Sequence, residues 1–253
     1  MALTKSSNPV LSEKIFQTSR AEVYGETMTI NGTVNKIGML LFFVVAAASF
    51  TWGMVSVTST GEISSSVYPW MIGGAIGGLI LALVTVFKPK ASPYTAPFYA
   101  LFEGLFLGGI SALMNATYPG IVMQAVGLTF GTLFAMLFAY KTGLIKVTQK
   151  FKAGIVAATG GIMLFYLVTW IMSMFGIGNG FYYGSSLLSI GISLFVVVIA
   201  ALNLVLDFDF IEKGAQSGAP KYMEWYGAFG LMVTLIWLYV ELLRLLAKIA
   251  NRD

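Results

Sequence analysis

Residues 187–210 decide the class of the fold, and they read LLSIGISLFVVVIAALNLVLDFDF. The run is long and apolar enough to cross a bilayer, since a ~30 Å hydrocarbon layer needs ~20 helical residues. Two acids, Asp207 and Asp209, close it. An ionisable group inside a membrane segment costs at least ~2.5 kcal/mol, so these acids are interpreted first as functional residues.

The composition of the whole chain is that of an integral membrane protein. Of its 253 residues, 57% are hydrophobic and 10% are charged, and the mean hydropathy is +0.82. An average soluble domain is roughly 45–50% apolar and roughly 25% charged. The net charge of +4 comes from basic residues in short loops. It therefore indicates orientation in the membrane and does not predict nucleic-acid binding.

The chain contains no cysteine and no histidine. Their absence excludes disulfides, thiolate and Ser–His catalysis, haem ligation and the usual zinc sites. Carboxylates must carry any chemistry, and oxygen ligands suit protons and hard cations such as Ca²⁺. The Tyr-Asp and Gly-x-Gly-Asp settings of intramembrane aspartyl proteases do not occur. We therefore expect no enzyme and no resident cofactor, and the identity of any bound metal stays open.

Seven apolar segments follow a polar N-terminal arm. Residues 1–33 are assigned to a cytoplasmic arm and residues 34–253 to a transmembrane domain. Long apolar runs favour helices over barrel strands, so the predicted fold is an all-α membrane protein, a seven-transmembrane-helix bundle. The segments are Ile37–Val55, Tyr68–Phe87, Ala96–Tyr118, Gly120–Tyr140, Ala153–Ile177, Ser185–Phe210 and Trp225–Ile249.

The loop charges predict an orientation. Lysine and arginine are concentrated before the first segment and after the second, fourth and sixth segments. The positive-inside rule therefore places the N-terminus in the cytoplasm and the C-terminus outside. Arg244, Lys248 and Arg252 disagree, because they would lie at or beyond the outer face. A re-entrant or tilted last segment is the alternative that returns them to the cytoplasmic side.

Four of the 11 acids fall within the apolar segments, namely Glu103, Asp207, Asp209 and Glu241. The other acids, Glu224 among them, are assigned to the arm or to loops and are expected to be solvated. Helical rise puts Glu103 ~10 Å below the cytoplasmic face, at a depth similar to that of Asp207. Acids brought together in a dry place share a proton, recruit a cation or pair with a base. These four residues are therefore the candidate proton or cation sensor.

Helix geometry limits which of the four can meet. Positions i and i+2 point to different faces, so we expect Asp207 to face the bundle and Asp209 to be its more solvated neighbour. Glu241 and Arg244 are spaced for a local i,i+3 ion pair. A straight hairpin of the last two helices sets Asp207 opposite residue 227, ~20 Å from Glu241. Asp207 and Glu241 are then separate sites, unless the last helix is broken, tilted or re-entrant.

Three stretches taken together resemble one protein family. They are EGLFLG at 103–108, DFDFIEK at 207–213 and LYVELLRLL at 238–246. In their order and helix placement they resemble the Bax inhibitor family, the transmembrane Bax-inhibitor-motif proteins, and more narrowly its bacterial branch. The resemblance extends over residues 35 to 248, and it implies a multi-pass protein of the bacterial cytoplasmic membrane.

The resemblance also implies a function. Members of this family are described as pH-sensitive Ca²⁺ leak channels in which acids of the sixth and seventh helices form a proton-sensing pair. Ca²⁺ would then be a transported ion. Asp207 matches the acid of the sixth helix, and Glu241 sits where the seventh helix has its Asp. A second alignment, fixed on Arg244, puts Thr234 at that position instead and leaves Asp207 without its usual partner.

A second hypothesis is an interaction protein without transport. Some bacterial relatives are thought to act on membrane proteases, and on that resemblance residues 1–33 would bind a membrane protease or another quality-control partner. The oligomeric state stays open under both hypotheses.

Overall fold

The computed structural model describes residues 26–55, 65–176 and 184–252. Within these ranges the chain forms seven helices that are long and apolar enough to cross a membrane. The predicted all-α seven-helix bundle is therefore confirmed. The helices are α1 (Ile30–Trp52), α2 (Tyr68–Phe87), α3 (Ser92–Thr117), α4 (Ile121–Lys141), α5 (Gln149–Met174), α6 (Leu187–Gln216) and α7 (Met223–Ala250).

α1 and α6 extend furthest beyond the predicted segments. α1 begins at Ile30 because Thr29 caps it, its hydroxyl accepting a hydrogen bond from the Gly32 amide at 2.9 Å. The helix therefore starts within the predicted arm, whose residues 1–25 lie outside the described residues. α6 continues past Phe210 to Gln216. Acidic and basic side chains end the apolar run there, but they are compatible with a helix.

α7 is the central helix of the bundle. It packs against α1, α3, α4 and α6, while α3 packs closely against α1 and α2. Leu238 of α7 and Leu204 of α6 are both 0% exposed and belong to one apolar core. A Cβ atom at Gly104 of α3 would lie 2.5 Å from the Val44 carbonyl oxygen of α1. Such close approach increases the van der Waals contact that holds helices together in lipid.

The last helix is continuous from Met223 to Ala250, so the last segment is not re-entrant. Two of its basic residues are engaged inside the bundle. Arg244 forms an ion pair with Glu241. Lys248 is 6% exposed and donates a hydrogen bond to the Ser193 hydroxyl at 2.8 Å. These two charges belong to polar contacts within the bundle and not to a solvated loop.

Candidate functional site

The register of the α6–α7 hairpin sets the partner of Asp207. α6 ends at Gln216 and α7 begins at Met223, so the turn between the two helices lies later in the chain than the sequence predicts. The residue of α7 that lies opposite Asp207 is therefore also later in the chain. Thr234 of α7, and not residue 227, is the hydrogen-bonding neighbour of the Asp207 carboxylate. This is the residue that the alignment fixed on Arg244 places there.

One oxygen of the Asp207 carboxylate has no hydrogen-bond partner. In the described part of the chain, Oδ2 of Asp207 is a buried side-chain oxygen that has no hydrogen-bond partner. The Thr234 hydroxyl also lies 3.3 Å from the Gly230 carbonyl oxygen. Because a hydroxyl carries one proton, it donates to Asp207 or to Gly230 but not to both. A proton or a cation at Asp207 would supply the missing partner.

Asp207 lines a cavity of about 470 Å³ between α2, α5, α6 and α7, here called the Asp207 cavity. Its polar lining also includes Asn203 of α6, Lys152 at the start of α5 and Tyr226 of α7. The Asn203 amide is fixed by hydrogen bonds to the Thr159 hydroxyl at 2.9 Å and to a backbone carbonyl of α6 at 2.8 Å. A water molecule occupies ~30 Å³ in the liquid. The cavity therefore has room for an ion with part of its hydration shell.

A second cavity, of about 250 Å³, lies between α1, α3, α4 and α7. Its lining contains no charged side chain. The hydroxyl groups of Ser111 and Tyr239 lie 2.6 Å apart and bond to each other, so this polar pair has its partner within the protein. Among these two cavities, ion chemistry is therefore assigned to the Asp207 cavity.

Asp209 does not line the Asp207 cavity. The expectation that it is the more solvated of the two acids is wrong, because Asp209 is buried, with 8% of its surface exposed, whereas Asp207 is partly exposed. Its Oδ2 accepts a hydrogen bond from the Lys213 ammonium at 2.7 Å. Lys213 is in place one turn later because α6 continues past Phe210. Asp209 is thus a paired acid, whereas Asp207 is not.

Glu103 lies on α3 and faces α2. A Cβ atom at Gly78 of α2 would lie 2.8 Å from Oε1 of Glu103, so the glycine makes room for the acid. Glu103 does not line the Asp207 cavity, and among the described residues no ion pair or hydrogen bond joins it to Asp207. Similar depth does not bring the two acids together, because α3 packs mainly against α1 and α2 whereas α6 packs mainly against α7.

Glu241 belongs to a separate, paired cluster. It is 1% exposed and accepts a hydrogen bond from the Tyr166 hydroxyl at 2.6 Å. Arg244 Nη1 lies 3.0 Å and 3.1 Å from its two oxygens, so the predicted ion pair is present. Along α7, Glu241 lies ~10 Å from the residue opposite Asp207. The structure therefore brings neither Glu103 nor Glu241 to Asp207.

Comparison with protein families identifies this bundle. The family model described as Bax inhibitor 1 like matches residues 8–251, nearly the whole chain. The chain belongs to the Bax inhibitor 1 like family. As a member of this family with seven apolar helices, it is a multi-pass membrane protein. None of the curated proteins and none of the solved structures compared with the chain matches it.

In this Bax inhibitor 1 like protein, sequence reasoning missed one buried acid. Glu224 was expected to be solvated, but it is 0% exposed. Its Oε1 accepts hydrogen bonds from the amide and the hydroxyl of Thr29, each at 2.9 Å, and Lys36 donates to Oε2 at 2.5 Å. Lys221 lies 3.3 Å from Oε1, and the hydrogen bond to this acid raises the pKa of the Lys221 ammonium. These four residues form what we call the Glu224 cluster.

The sequence held one weak signal for this cluster. Glu224 lies in the first turn of α7, where the helix dipole favours an acid. Its partners Thr29 and Lys36, however, are about 190 residues away in the sequence. Only the docking of α1 against α7 brings them together, so the expectation of a solvated side chain was wrong.

Proposed function

We propose that this Bax inhibitor 1 like protein conducts or gates cations across the bacterial cytoplasmic membrane, with Ca²⁺ as the first candidate ion. Protonation of Asp207 sets the gate. The observation that carries the proposal is the unpartnered, buried Oδ2 of Asp207 on a residue that lines a cavity of about 470 Å³. No other candidate acid combines an unpaired oxygen with a cavity in the described part of the chain.

The ionised and protonated forms of Asp207 have different partners. The ionised carboxylate attracts a cation, because charges interact strongly where the dielectric constant is low. A protonated carboxyl offers no such charge and can itself donate to the Thr234 hydroxyl. The Thr234 proton then turns to the Gly230 carbonyl oxygen, 3.3 Å away. Proton binding thus removes the cation site and changes the contact between α6 and α7.

The residues around the Asp207 cavity indicate the side of the membrane from which a cation enters it. Lys152 lies in the first turn of α5, at the end of the helix that the positive-inside rule assigns to the cytoplasmic side, and it lines the Asp207 cavity. Along α7, the buried Leu238 lies between Thr234 and Glu241, and it packs in one apolar core with the buried Leu204 of α6. We infer that the cavity takes up cations from the cytoplasmic side and that this apolar layer closes it toward the outside.

Ca²⁺ flux into proteoliposomes tests the proposal at about pH 6 and about pH 8. Wild-type protein should give the larger flux at the higher pH, because Asp207 is then more often ionised. Asp207→Asn should give a small flux that is indifferent to pH. Asp209→Asn is the matched control, since it removes an acid on the same helix that is already paired with Lys213 at 2.7 Å. Flux that ignores both pH and Asp207→Asn would eliminate the sensor.

Thr234→Asp provides a sharper test of the same site. A second acid opposite Asp207 would share a proton with it, so the pH of half-maximal flux should rise by ~1 unit. Thr234→Asn is the control, because it adds a polar group of similar size without a charge. An equal response of both variants would show that the packing, and not the charge, had changed the flux.

The interaction hypothesis makes a different prediction. If the N-terminal arm recruits a membrane protease, deletion of residues 1–25 should remove a co-purifying protease. Proteoliposomes would then show no Ca²⁺ flux with either the full-length or the shortened protein. That combination of results would replace conduction by partner binding.

A further inference from the structure

The Glu224 cluster joins the start of α1 to the start of α7. Glu224 is 0% exposed and receives two hydrogen bonds from Thr29 and one from Lys36. A buried acid that is fully compensated in this way holds its partners in one geometry. The end of the N-terminal arm is attached at the same place, because the Met28 amide donates to the Ala219 carbonyl oxygen at 2.7 Å.

The cluster is continuous with one wall of the Asp207 cavity. Tyr226 and Gly227, the second and third residues after Glu224 on α7, both line that cavity. Met28 is 2% exposed and packs behind this wall, since a Cβ atom at Gly227 would lie 3.6 Å from Met28 Cε and 3.1 Å from Ile211 Cγ1. A shift at the start of α1 therefore acts directly on the first turns of α7.

We propose that Glu224 is a positioning residue for the Asp207 cavity. Through its cluster, the arm and the start of α1 hold the α7 wall in place, and loss of the cluster widens the access of water to the cavity. Anything that pulls on the arm would act on the cavity by this route. The inference rests on the proposed function only for its effect on ion flux, because the opening itself is measured separately.

Cysteine accessibility measures the opening, and the native chain contains no cysteine to interfere. Leu206→Cys places a reporter in the Asp207 cavity, and Val126→Cys places one in the second cavity. A water-soluble methanethiosulfonate reagent is applied to the full-length protein in liposomes. Adding Glu224→Gln should raise the modification rate at position 206 by about tenfold, as expected for a local opening, and leave position 126 unchanged.

Two further variants separate positioning from general loosening. Lys36→Gln removes the closest cation of the cluster and should act in the same direction as Glu224→Gln. Glu212→Gln is the matched control. Glu212 lies near the end of α6 that precedes α7, and it accepts a hydrogen bond from Tyr140 at 2.5 Å. It belongs to neither the Glu224 cluster nor the lining of the Asp207 cavity. Glu224→Asp, which keeps the charge, should restore part of the protection at position 206.

The outcomes are distinguishable. An unchanged or lower rate at position 206 overturns the positioning role, as does an equal rise at position 126 or with Glu212→Gln. If the wild-type protein shows no Ca²⁺ flux while position 206 still responds to Glu224→Gln, conduction fails and the positioning role stands. If flux depends on pH and on Asp207 but position 206 does not respond, conduction stands and the positioning role fails.

Discussion

Asp207 and Glu224 are acids of the same helical hairpin with buried carboxylate oxygens, but their surroundings differ. Glu224 receives three hydrogen bonds from Thr29 and Lys36 and also contacts Lys221. Asp207 has a threonine hydroxyl as its neighbour, one oxygen without a partner and a cavity beside it. A buried charge is tolerated when its partners compensate for the lost water. In this bundle the number of partners, and not depth in the membrane, separates a structural acid from a candidate ion site.

The largest effect on stability is expected for Glu224→Gln. The change leaves the partly exposed Lys36 ammonium without the fully buried Glu224 carboxylate. Breaking a buried ion pair costs about 3 to 5 kcal/mol of the free energy of unfolding. Chemical denaturation in detergent measures this loss. Asp209→Asn is the comparison, because the Lys213 side chain is 63% exposed and such pairs contribute less than about 1 kcal/mol. Equal losses for the two variants would remove the distinction between them.

Gly32→Ala should lower the free energy of unfolding by about 2 kcal/mol. The added Cβ would overlap the Glu224 carboxylate and push it away from its donors. Gly38→Ala on the same helix is the control, since a Cβ there meets nothing within 4 Å and alanine favours a helix. Thermal unfolding of the two variants side by side makes the comparison. Similar melting temperatures would mean that the close approach of Gly32 to Glu224 does not contribute to the free energy of unfolding.

Glu241→Gln should cost about 1 to 2 kcal/mol, less than Glu224→Gln. The ion pair with Arg244 is lost, but that arginine side chain is 33% exposed and keeps contact with water. Because Glu241 does not line the Asp207 cavity, the pH dependence of Ca²⁺ flux should stay as in wild-type protein. A shifted pH profile would instead couple the two clusters and favour the alignment that pairs Glu241 with Asp207.

The smallest effect on stability is expected for Asp207→Asn. Removing the charge from an acid whose buried Oδ2 lacks a partner should change the free energy of unfolding by less than about 1 kcal/mol, toward greater stability. Denaturation at about pH 8, where ionisation of an acid is favoured, gives the clearest reading. A loss as large as that of Glu224→Gln would show that Asp207 is a structural acid after all.

The helices could be predicted from the sequence, but their ends and register could not. Apolar runs near the length of a bilayer span predict the seven helices directly. Hydropathy fails at the end of α6, because Glu212 and Lys213 are polar but still helical. That difference moves the centre of the hairpin and gives Asp207 the partner Thr234 in place of residue 227.

The sequence predicted those parts of the candidate site that depend on local spacing, but not those that depend on contacts between distant helices. Asp207 and the pair of Glu241 and Arg244 follow from residue type and local spacing, which a sequence displays. The burial of Glu224 depends on contacts with α1, about 190 residues away, and local spacing carries no information about them. Glu103 shows the opposite error, since a predicted depth similar to that of Asp207 suggested a contact that the packing of α3 does not make.

Carbodiimide modification tests most directly whether the unpartnered acid is the reactive one. A hydrophobic carbodiimide reacts with protonated carboxyl groups: the carboxyl proton passes to a carbodiimide nitrogen and the carboxyl oxygen adds to its central carbon. Peptide mapping by mass spectrometry reports which acids have reacted. We expect modification of Asp207, more at about pH 6 than at about pH 8 and slowed by Ca²⁺. Glu224 and Asp209 should stay unmodified, because each accepts a hydrogen bond from a lysine. Modification of Glu224 as fast as that of Asp207, or no modification of Asp207, would contradict this expectation.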